Sequence, residues 1–88
     1  MKKLPAKIIF GKNIVGNLGS VLGRVVDIVF DEKIGKIVSL EVEPEEGSPI
    51  DIADGKNVFI PYKAVIAIKD VVVIDEKYLT QAYIKPVE

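Results

Sequence analysis

The sequence predicts a mostly β fold in one small domain, and three observations lead to this prediction. The chain has 88 residues, which is room for a single domain over residues 1–88. Isoleucine and valine supply 13 residues each against 5 leucines, and branched side chains favour strands over helices. The apolar runs are short and are separated by glycine, proline, asparagine and aspartate, which is typical of strands joined by turns.

The best-specified element is a hairpin over residues 21–42. Both of its halves are rich in valine and isoleucine, and Asp31–Gly35 between them has the composition of a turn. The Asp31 side chain can accept hydrogen bonds from turn amides, and Gly35 can adopt a positive φ because it has no Cβ. We therefore expect Gly35 at positive φ in a tight turn.

The remaining elements follow from the same signals. Before the hairpin we expect a strand that ends in a reversal at 15–20, and after it a loop over 44–57. A strand Asn57–Pro61, ended by its proline, then leads to a bend at 62–64. Strands 65–68 and 71–74 are expected around a two-residue turn at Lys69 and Asp70, followed by a helical turn within 76–82. Alternation assigns Leu22, Val26, Ile28, Val38, Leu40, Ile60 and Val72 to the interior. The core is expected over about residues 8–75, with a C-terminal extension over 76–88.

The chain is more apolar than a lone small barrel is expected to hide. Hydrophobic residues make up 49% of it, and mean hydropathy is +0.30. The excess lies on one side of Val21–Phe30, on both sides of Val71–Ile74 and in the tail, which packs either on the barrel or on another subunit. We expect a homodimer, and the candidate interface residues are Val71, Val73, Tyr78, Leu79, Tyr83 and Ile84.

Charge is sorted along the chain although the net charge is only −1. Residues 1–26 hold lysines and one arginine but no acid, whereas residues 41–54 hold acids and no base. Two interpretations stay open: solvated faces that keep the domain in solution, or electrostatic complementarity with another subunit or partner. The acidic loop lacks the ligand spacing of a known calcium loop, so no metal is expected.

Composition argues against several classes of function. The chain has no cysteine and no histidine, so it forms no disulfide and has no imidazole base for its serines; we expect no catalytic activity and no cofactor. A single arginine and a pI near 5.5 argue against direct nucleic-acid binding. Pro5 and Lys7 interrupt any signal-peptide core, and no apolar run is long enough to insert in a membrane, so a cytoplasmic protein is expected.

Several ordered motifs resemble the PRC-barrel family. They are the strand Leu22-Gly23-Arg24-Val25-Val26-Asp27-Ile28-Val29-Phe30-Asp31, the turn end Gly35-Lys36-Ile37, and the bend Phe59-Ile60-Pro61-Tyr62-Lys63-Ala64-Val65 with the hairpin that follows it. The match spans nearly the whole chain. Departures from the family pattern are the Asn17-Leu18-Gly19-Ser20 turn, Lys63 where an acid is common, and the long acidic loop.

The resemblance implies a six-stranded β-barrel and an adaptor rather than an enzyme. Within it, Gly23 is expected to serve close packing, Asp27, Pro61 and Tyr62 to shape corners, and Asp31 and Gly35 to form the turn. Some short stand-alone archaeal members of the family are linked to cell division, where they bind the membrane anchor of the tubulin-like division ring or related barrel proteins. Another member is the barrel domain of a ribosome maturation factor, which docks on a ribosomal protein.

Overall fold

The computed structural model describes residues 9–87, and the strands in this range form a single sheet. In chain order they are β1 (Asn13–Gly16), β2 (Val21–Asp31), β3 (Lys36–Pro44), β4 (Val58–Pro61), β5 (Val65–Ile68), β6 (Val72–Ile74) and β7 (Lys85–Pro86). Two short 3₁₀ turns, Tyr62–Ala64 and Glu76–Tyr78, follow β4 and β6. The order in the sheet is β5-β6-β1-β2-β3-β4-β7. The pair β1 and β6 is parallel, and the other described pairs are antiparallel.

The prediction of an all-β fold is confirmed, but the prediction of a closed six-stranded barrel is wrong. The sheet of residues 9–87 has seven strands, and its two end strands, β5 and β7, are not paired with each other. β7 comes from the segment predicted as an extension, and it pairs with Val58 and Phe59 of β4. A strand of two residues that contains a proline shows no alternation, so nothing in the sequence marks it as part of the sheet.

One hydrophobic core lies on the inner face of the sheet. Its members, each at most 3% exposed, are Ile9, Ile14, Leu22, Val25, Leu40, Val42, Ile50, Val58, Ile60, Ala64, Val72, Ile74 and Ile84. Residues near both ends of the strand order join this one cluster, with Ile68 of β5 packed against it at one end and Ile84, just before β7, inside it at the other. The sheet must therefore curl around its core although its ends do not pair.

Bulges in the β2–β3 hairpin change which side chains face the core. Val25 pairs with Val42 and Asp27 with Glu41, so Val26 lies between two pairs without a partner of its own. An extra residue of this kind interrupts the strict alternation of a strand. As a result both Val25 and Ile28 face the core, although their positions differ by an odd number.

A second bulge in the hairpin lies in β3. Val29 pairs with Ser39 and Phe30 with Ile37, which leaves Val38 as the extra residue. Val26 and Val38 are 37% and 40% exposed, so their assignment to the interior was wrong. The other predicted interior residues hold: Leu22, Leu40, Ile60 and Val72 are fully buried, and Ile28 is partly buried against the core.

Two connecting segments differ in detail from the predictions. The loop after β3 contains no strand, as predicted, yet it contributes the fully buried Ile50 to the core. The turn between β5 and β6 has three residues rather than two, since Ile68 pairs with Val72 and the Lys69 N–H bonds the Val71 carbonyl at 3.0 Å. Residue 8, where the predicted core began, and the basic residues Lys2, Lys3 and Lys7 lie outside the described residues.

Candidate interaction surface

The outer part of the β2–β3 hairpin extends beyond the strands that flank its base. β1 pairs with β2 only over Val21–Arg24, and β4 pairs with β3 only over Ser39–Val42. Within the described part of the chain, the hairpin from residue 29 to residue 38 therefore has no strand on either side. This segment, residues 29–38, is called the hairpin arm below.

The hairpin arm exposes large apolar side chains that the barrel does not cover. Val29 is 36% exposed, Phe30 55%, Ile34 58% and Val38 40%. Val29, Phe30 and Val38 line a shallow groove of about 480 Å³, together with Asp31, Glu32 and Lys33. Several exposed apolar residues on one element of a small domain are typical of a protein-binding surface.

The turn that ends the arm is held by its own hydrogen bonds. The Asp31 carboxylate accepts from the N–H groups of Lys33 at 2.9 Å and Ile34 at 3.4 Å, and the Asp31 carbonyl accepts from the Gly35 N–H at 2.9 Å. Gly35 has a φ of +67°, which confirms the prediction for this position. The turn thus presents Ile34 at the tip of the arm in a defined position.

Four charged residues surround the turn of the arm. Asp31 ends β2, Glu32 and Lys33 lie in the turn, and Lys36 begins β3. Ile34 follows Lys33 directly and is separated from Glu32 and from Lys36 by one residue each, so two bases and one acid lie next to the exposed tip. The arm carries both signs of charge close together, which favours a partner of mixed charge over a strongly acidic or basic one.

The interface residues predicted from the sequence lie elsewhere and are mostly engaged with the barrel. Ile84 is 3% exposed and belongs to the core, so it is not available as an interface residue. Tyr78 and Leu79 are partly buried against the core, and Val71 and Val73 are also half-buried. Tyr83, at 38% exposed, is the most accessible of the six.

The two tail tyrosines form a cluster around Lys63. Their rings meet edge to face with centroids 4.8 Å apart, and the Lys63 ammonium lies 4.9 Å from the Tyr83 centroid and 5.8 Å from that of Tyr78. Such contacts are attractive because the face of an aromatic ring is negative. The tail is thus held against the 3₁₀ turn after β4, which leaves the hairpin arm as the larger exposed apolar surface.

The other predicted motif residues have structural roles next to the hairpin. A Cβ on Gly23 would overlap the Glu43 carbonyl oxygen and lie 3.0 Å from the Cα of Pro44, so β2 and β3 can approach here only if residue 23 is glycine. Asp27 follows the Val26 bulge and accepts from the Ile28 N–H at 2.7 Å. Pro61, with φ −64°, precedes the 3₁₀ turn, and Tyr62 packs against the core.

A contact that the sequence did not reveal joins Glu76 to the β1–β2 turn. The Glu76 carboxylate accepts from the Leu18 N–H at 2.7 Å, the Ser20 hydroxyl at 3.0 Å and the Ser20 N–H at 3.4 Å. In return, the Glu76 N–H donates to the Asn17 side chain at 2.9 Å. A Cβ on Gly16 would overlap the Glu76 side chain, so a glycine is needed there.

These hydrogen bonds change the acidity of Glu76. Burial raises the pKa of its carboxyl, but the bonds from Leu18 and Ser20 together outweigh burial, and the pKa lies below its ordinary value. The partners are 56 to 59 positions away in the chain, and no pattern of short range could have predicted them.

The acidic segment 41–54 uses several of its carboxylates within the fold. Asp51 accepts from the N–H groups of Gly47 at 3.0 Å and Gly55 at 3.1 Å, and so closes the loop on itself. Glu41 accepts from the Asn57 side chain at 2.9 Å. Arg24 and Glu43 pair at 2.8 Å, but both side chains are about half exposed, and such a pair contributes only about 0–1 kcal/mol.

The described part of the chain, residues 9–87, contains no helix that is long and apolar enough to cross a membrane. It also brings together no group of three or more acidic side chains in a position to hold a metal ion. A recess of about 380 Å³ is lined by Pro44, Glu46, Asp51, Asp54 and Gly55.

Comparison with known proteins agrees with the motifs in the hairpin and the bend. The family model described as PRC-barrel domain matches residues 1–81. An uncharacterized protein of Methanocaldococcus jannaschii is 61% identical over 88 residues, which covers 100% of this chain and 99% of that protein. The family match covers most of the chain, including the Gly23 strand, the Asp31–Gly35 turn and the Pro61 bend, and the chain therefore belongs to the PRC-barrel family.

Proposed function

We propose that this protein is a non-enzymatic protein-interaction adaptor that binds its partner through the hairpin arm. The observation that carries the proposal is the exposure of Val29, Phe30, Ile34 and Val38 on a segment without flanking strands. Apolar side chains of this size lose solvent contact when a partner binds, which supplies most of the favourable free energy of association. The ordered turn reduces the entropy that binding must otherwise remove.

Catalysis is a weaker explanation of the same molecule. The chain has no histidine that could activate a serine or threonine. The Ser20 hydroxyl donates to Glu76, and this pair, together with the bonds from the Leu18 and Ser20 N–H groups, fastens the β1–β2 turn. The groove on the arm is shallow and open, with three apolar and three charged residues in its lining, which suits a protein surface better than a small molecule held on all sides.

The partner that we propose is a component of archaeal cell division. Family membership supports this, because some short stand-alone members resemble this chain in size and bind the membrane anchor of the tubulin-like division ring or other PRC-barrel proteins. The relative from Methanocaldococcus jannaschii has nearly the same length, so a small stand-alone form of the domain is found in an archaeon. The mixed charge of the arm suits a partner of similar composition.

A second candidate is a ribosome-assembly adaptor that docks on a ribosomal protein. The observation in its favour is the recess lined by Glu46, Asp51 and Asp54, which offers negative charge to a basic partner. This candidate uses the acidic loop rather than the hairpin arm. The two functions therefore predict different binding surfaces.

Capture from native archaeal lysate tests both candidates. We expect the tagged protein to retain division proteins, and the double variant Phe30→Ser with Ile34→Ser to lose them. Leu18→Ser is the matched control, because Leu18 is 82% exposed at the other end of β2. Retention of ribosomal proteins that is lost in Glu46→Lys and kept in the arm variant would favour the second candidate. Unchanged capture by the arm variant would contradict the proposed role of the arm.

A further inference from the structure

We propose that the partner of the hairpin arm is the hairpin arm of a second copy of this chain, with Ile34 of each copy seated in the groove of the other. This inference rests on the proposed function, because it names a partner for the surface proposed there. It also moves the expected dimer contact from the tail to the β2–β3 hairpin.

The arm carries both a projection and a recess. Ile34 is 58% exposed at the tip, and the Asp31 side chain fixes the turn that presents it. The groove, with a volume of about 480 Å³, has Val29, Phe30 and Val38 in its lining. Two copies related by a two-fold axis would bury both projections and fill both grooves at once, since every contact of such an interface occurs twice.

The charges around the projection and the groove are complementary. Lys33 and Lys36 flank Ile34, and the groove is lined by two acids, Asp31 and Glu32, and one base, Lys33, so that its acids outnumber its bases. When Ile34 of one copy enters the groove of the other, the lysines beside it approach the acids of the partner. The same contact forms in the opposite direction, so the arm complements its own copy in shape and in charge.

The backbone of the arm points to a protein occupant as well. The two strands of the arm pair with each other. In the part of the chain that the structure describes, the outer edge of neither strand is paired with a further strand. Unpaired strand edges bind other chains readily unless something covers them. A second arm covers apolar side chains and strand edges together, which a small ligand does not.

Sedimentation of the wild-type chain over about 1 µM to 1 mM tests the association directly. We expect a reversible dimer, and we expect Ile34→Glu to weaken it by about tenfold or more, because a carboxylate would enter an apolar groove. Leu18→Glu, at a more exposed position away from the arm, is expected to leave it unchanged. Thermal melting of each variant checks that the fold is intact. A wild-type monomer throughout this range overturns the proposal.

A charge exchange tests the geometry of the contact. Glu32→Lys and Lys36→Glu should each dimerise more weakly alone, since each homodimer then places like charges together. A mixture of these two variants should form a mixed dimer. The Glu32→Lys copy has a base at positions 32 and 36, and the Lys36→Glu copy has an acid at both, so position 32 of each copy meets the opposite charge at position 36 of the other. Lys56→Glu, in the loop before β4, is the control. Failure of the mixed dimer, or a dimer that both single variants leave unchanged, overturns the arm-to-arm contact.

The result also separates this inference from the proposed function. A chain that stays monomeric while its arm captures a different protein overturns the arm-to-arm contact and leaves the adaptor function intact. If arm variants change neither self-association nor capture, both the inference and the function fail. If Val73→Glu in β6 abolishes the dimer and Ile34→Glu does not, the contact belongs to the interface predicted from the sequence and the inference is wrong.

Discussion

The two halves of the β2–β3 hairpin have similar sequences and opposite surroundings. At its base, Leu22, Val25, Leu40 and Val42 are at most 1% exposed, whereas Val29, Phe30 and Val38 in the arm are 36–55% exposed. The apolar residues of both halves are mostly valine, isoleucine and leucine. What differs is the neighbours, because β1 and β4 flank the base and end before the arm begins. In this chain, burial is set by which strands lie alongside rather than by local sequence.

The largest expected difference between the two halves is in the cost of truncation. Leu40→Ala should lower the free energy of unfolding by about 2–5 kcal/mol, because it removes a fully buried side chain from the core. Val38→Ala, two residues earlier in the same strand, should cost less than about 1 kcal/mol, since Val38 is an exposed bulge residue. Denaturant unfolding measures both. Equal costs would mean that the arm is covered within the monomer and would remove the basis of the interaction surface.

Gly23→Ala should be the next largest change, and it affects the base of the hairpin alone. The new methyl group would collide with the Glu43 carbonyl and force β2 and β3 apart, which is expected to cost about 1–3 kcal/mol. Ser39→Ala, on the facing strand, is a control that removes an atom instead of adding one. Thermal melting compares them, and a Gly23→Ala protein as stable as the parent would show that the strands can separate here without loss.

Gly35→Val tests the far end of the same hairpin and should have a somewhat smaller effect. A branched residue at a φ of +67° is expected to cost about 1–2 kcal/mol. Lys33→Val in the same turn should cost less, because Lys33 does not have a positive φ. The two melting temperatures decide the matter. If the order were reversed, the turn would depend on the Lys33 side chain rather than on the conformation of Gly35.

Glu76→Gln should have the smallest effect, and its size should depend on pH. The folded state lowers the pKa of Glu76, so its contribution to stability is complete above the ordinary carboxyl pKa and is lost as pH falls through the lower folded value. The variant should therefore melt below the parent at neutral pH, and the two should converge in acid. Glu46→Gln, an exposed acid in the loop, is the control. A difference that stays constant with pH would mean that the charge of Glu76 is not what fastens the β1–β2 turn.

The sequence predicts the elements of this fold better than it predicts their faces. The hairpin, its turn, the Pro61 bend and the family motifs follow from residue types at short range. The bulges at Val26 and Val38 do not, because an extra residue in a strand shows no signal of its own when its neighbours are also valine and isoleucine. Each bulge reverses the alternation once in its own strand. Strict alternation therefore predicts Val26 and Val38 in the interior, whereas both are exposed.

The candidate surface could be predicted only in part, for a related reason. The excess of apolar residues correctly indicates that some must be exposed, but their location depends on contacts between distant segments. Ile84 of the tail, which the sequence assigned to an interface, and Ile50 of the acidic loop are both buried in the core. Four of the exposed apolar residues, Val29, Phe30, Ile34 and Val38, therefore lie in the arm, whereas Tyr83 is the one predicted interface residue that is exposed in the tail.

The bulge at Val26 gives the chain an unusual tolerance to changes in its length. Val25 pairs with Val42 and Asp27 with Glu41, and these two partners are already adjacent in β3. Deleting Val26 would therefore change no β2–β3 residue pair and no inward-facing residue. Deleting Val29 instead would move every later side chain of the strand to the opposite face. Bulges also bend and twist the strand that contains them. The loss of one residue at Val26 would thus change the direction of the arm while the sheet keeps the pairs and the core contacts at the base of the hairpin.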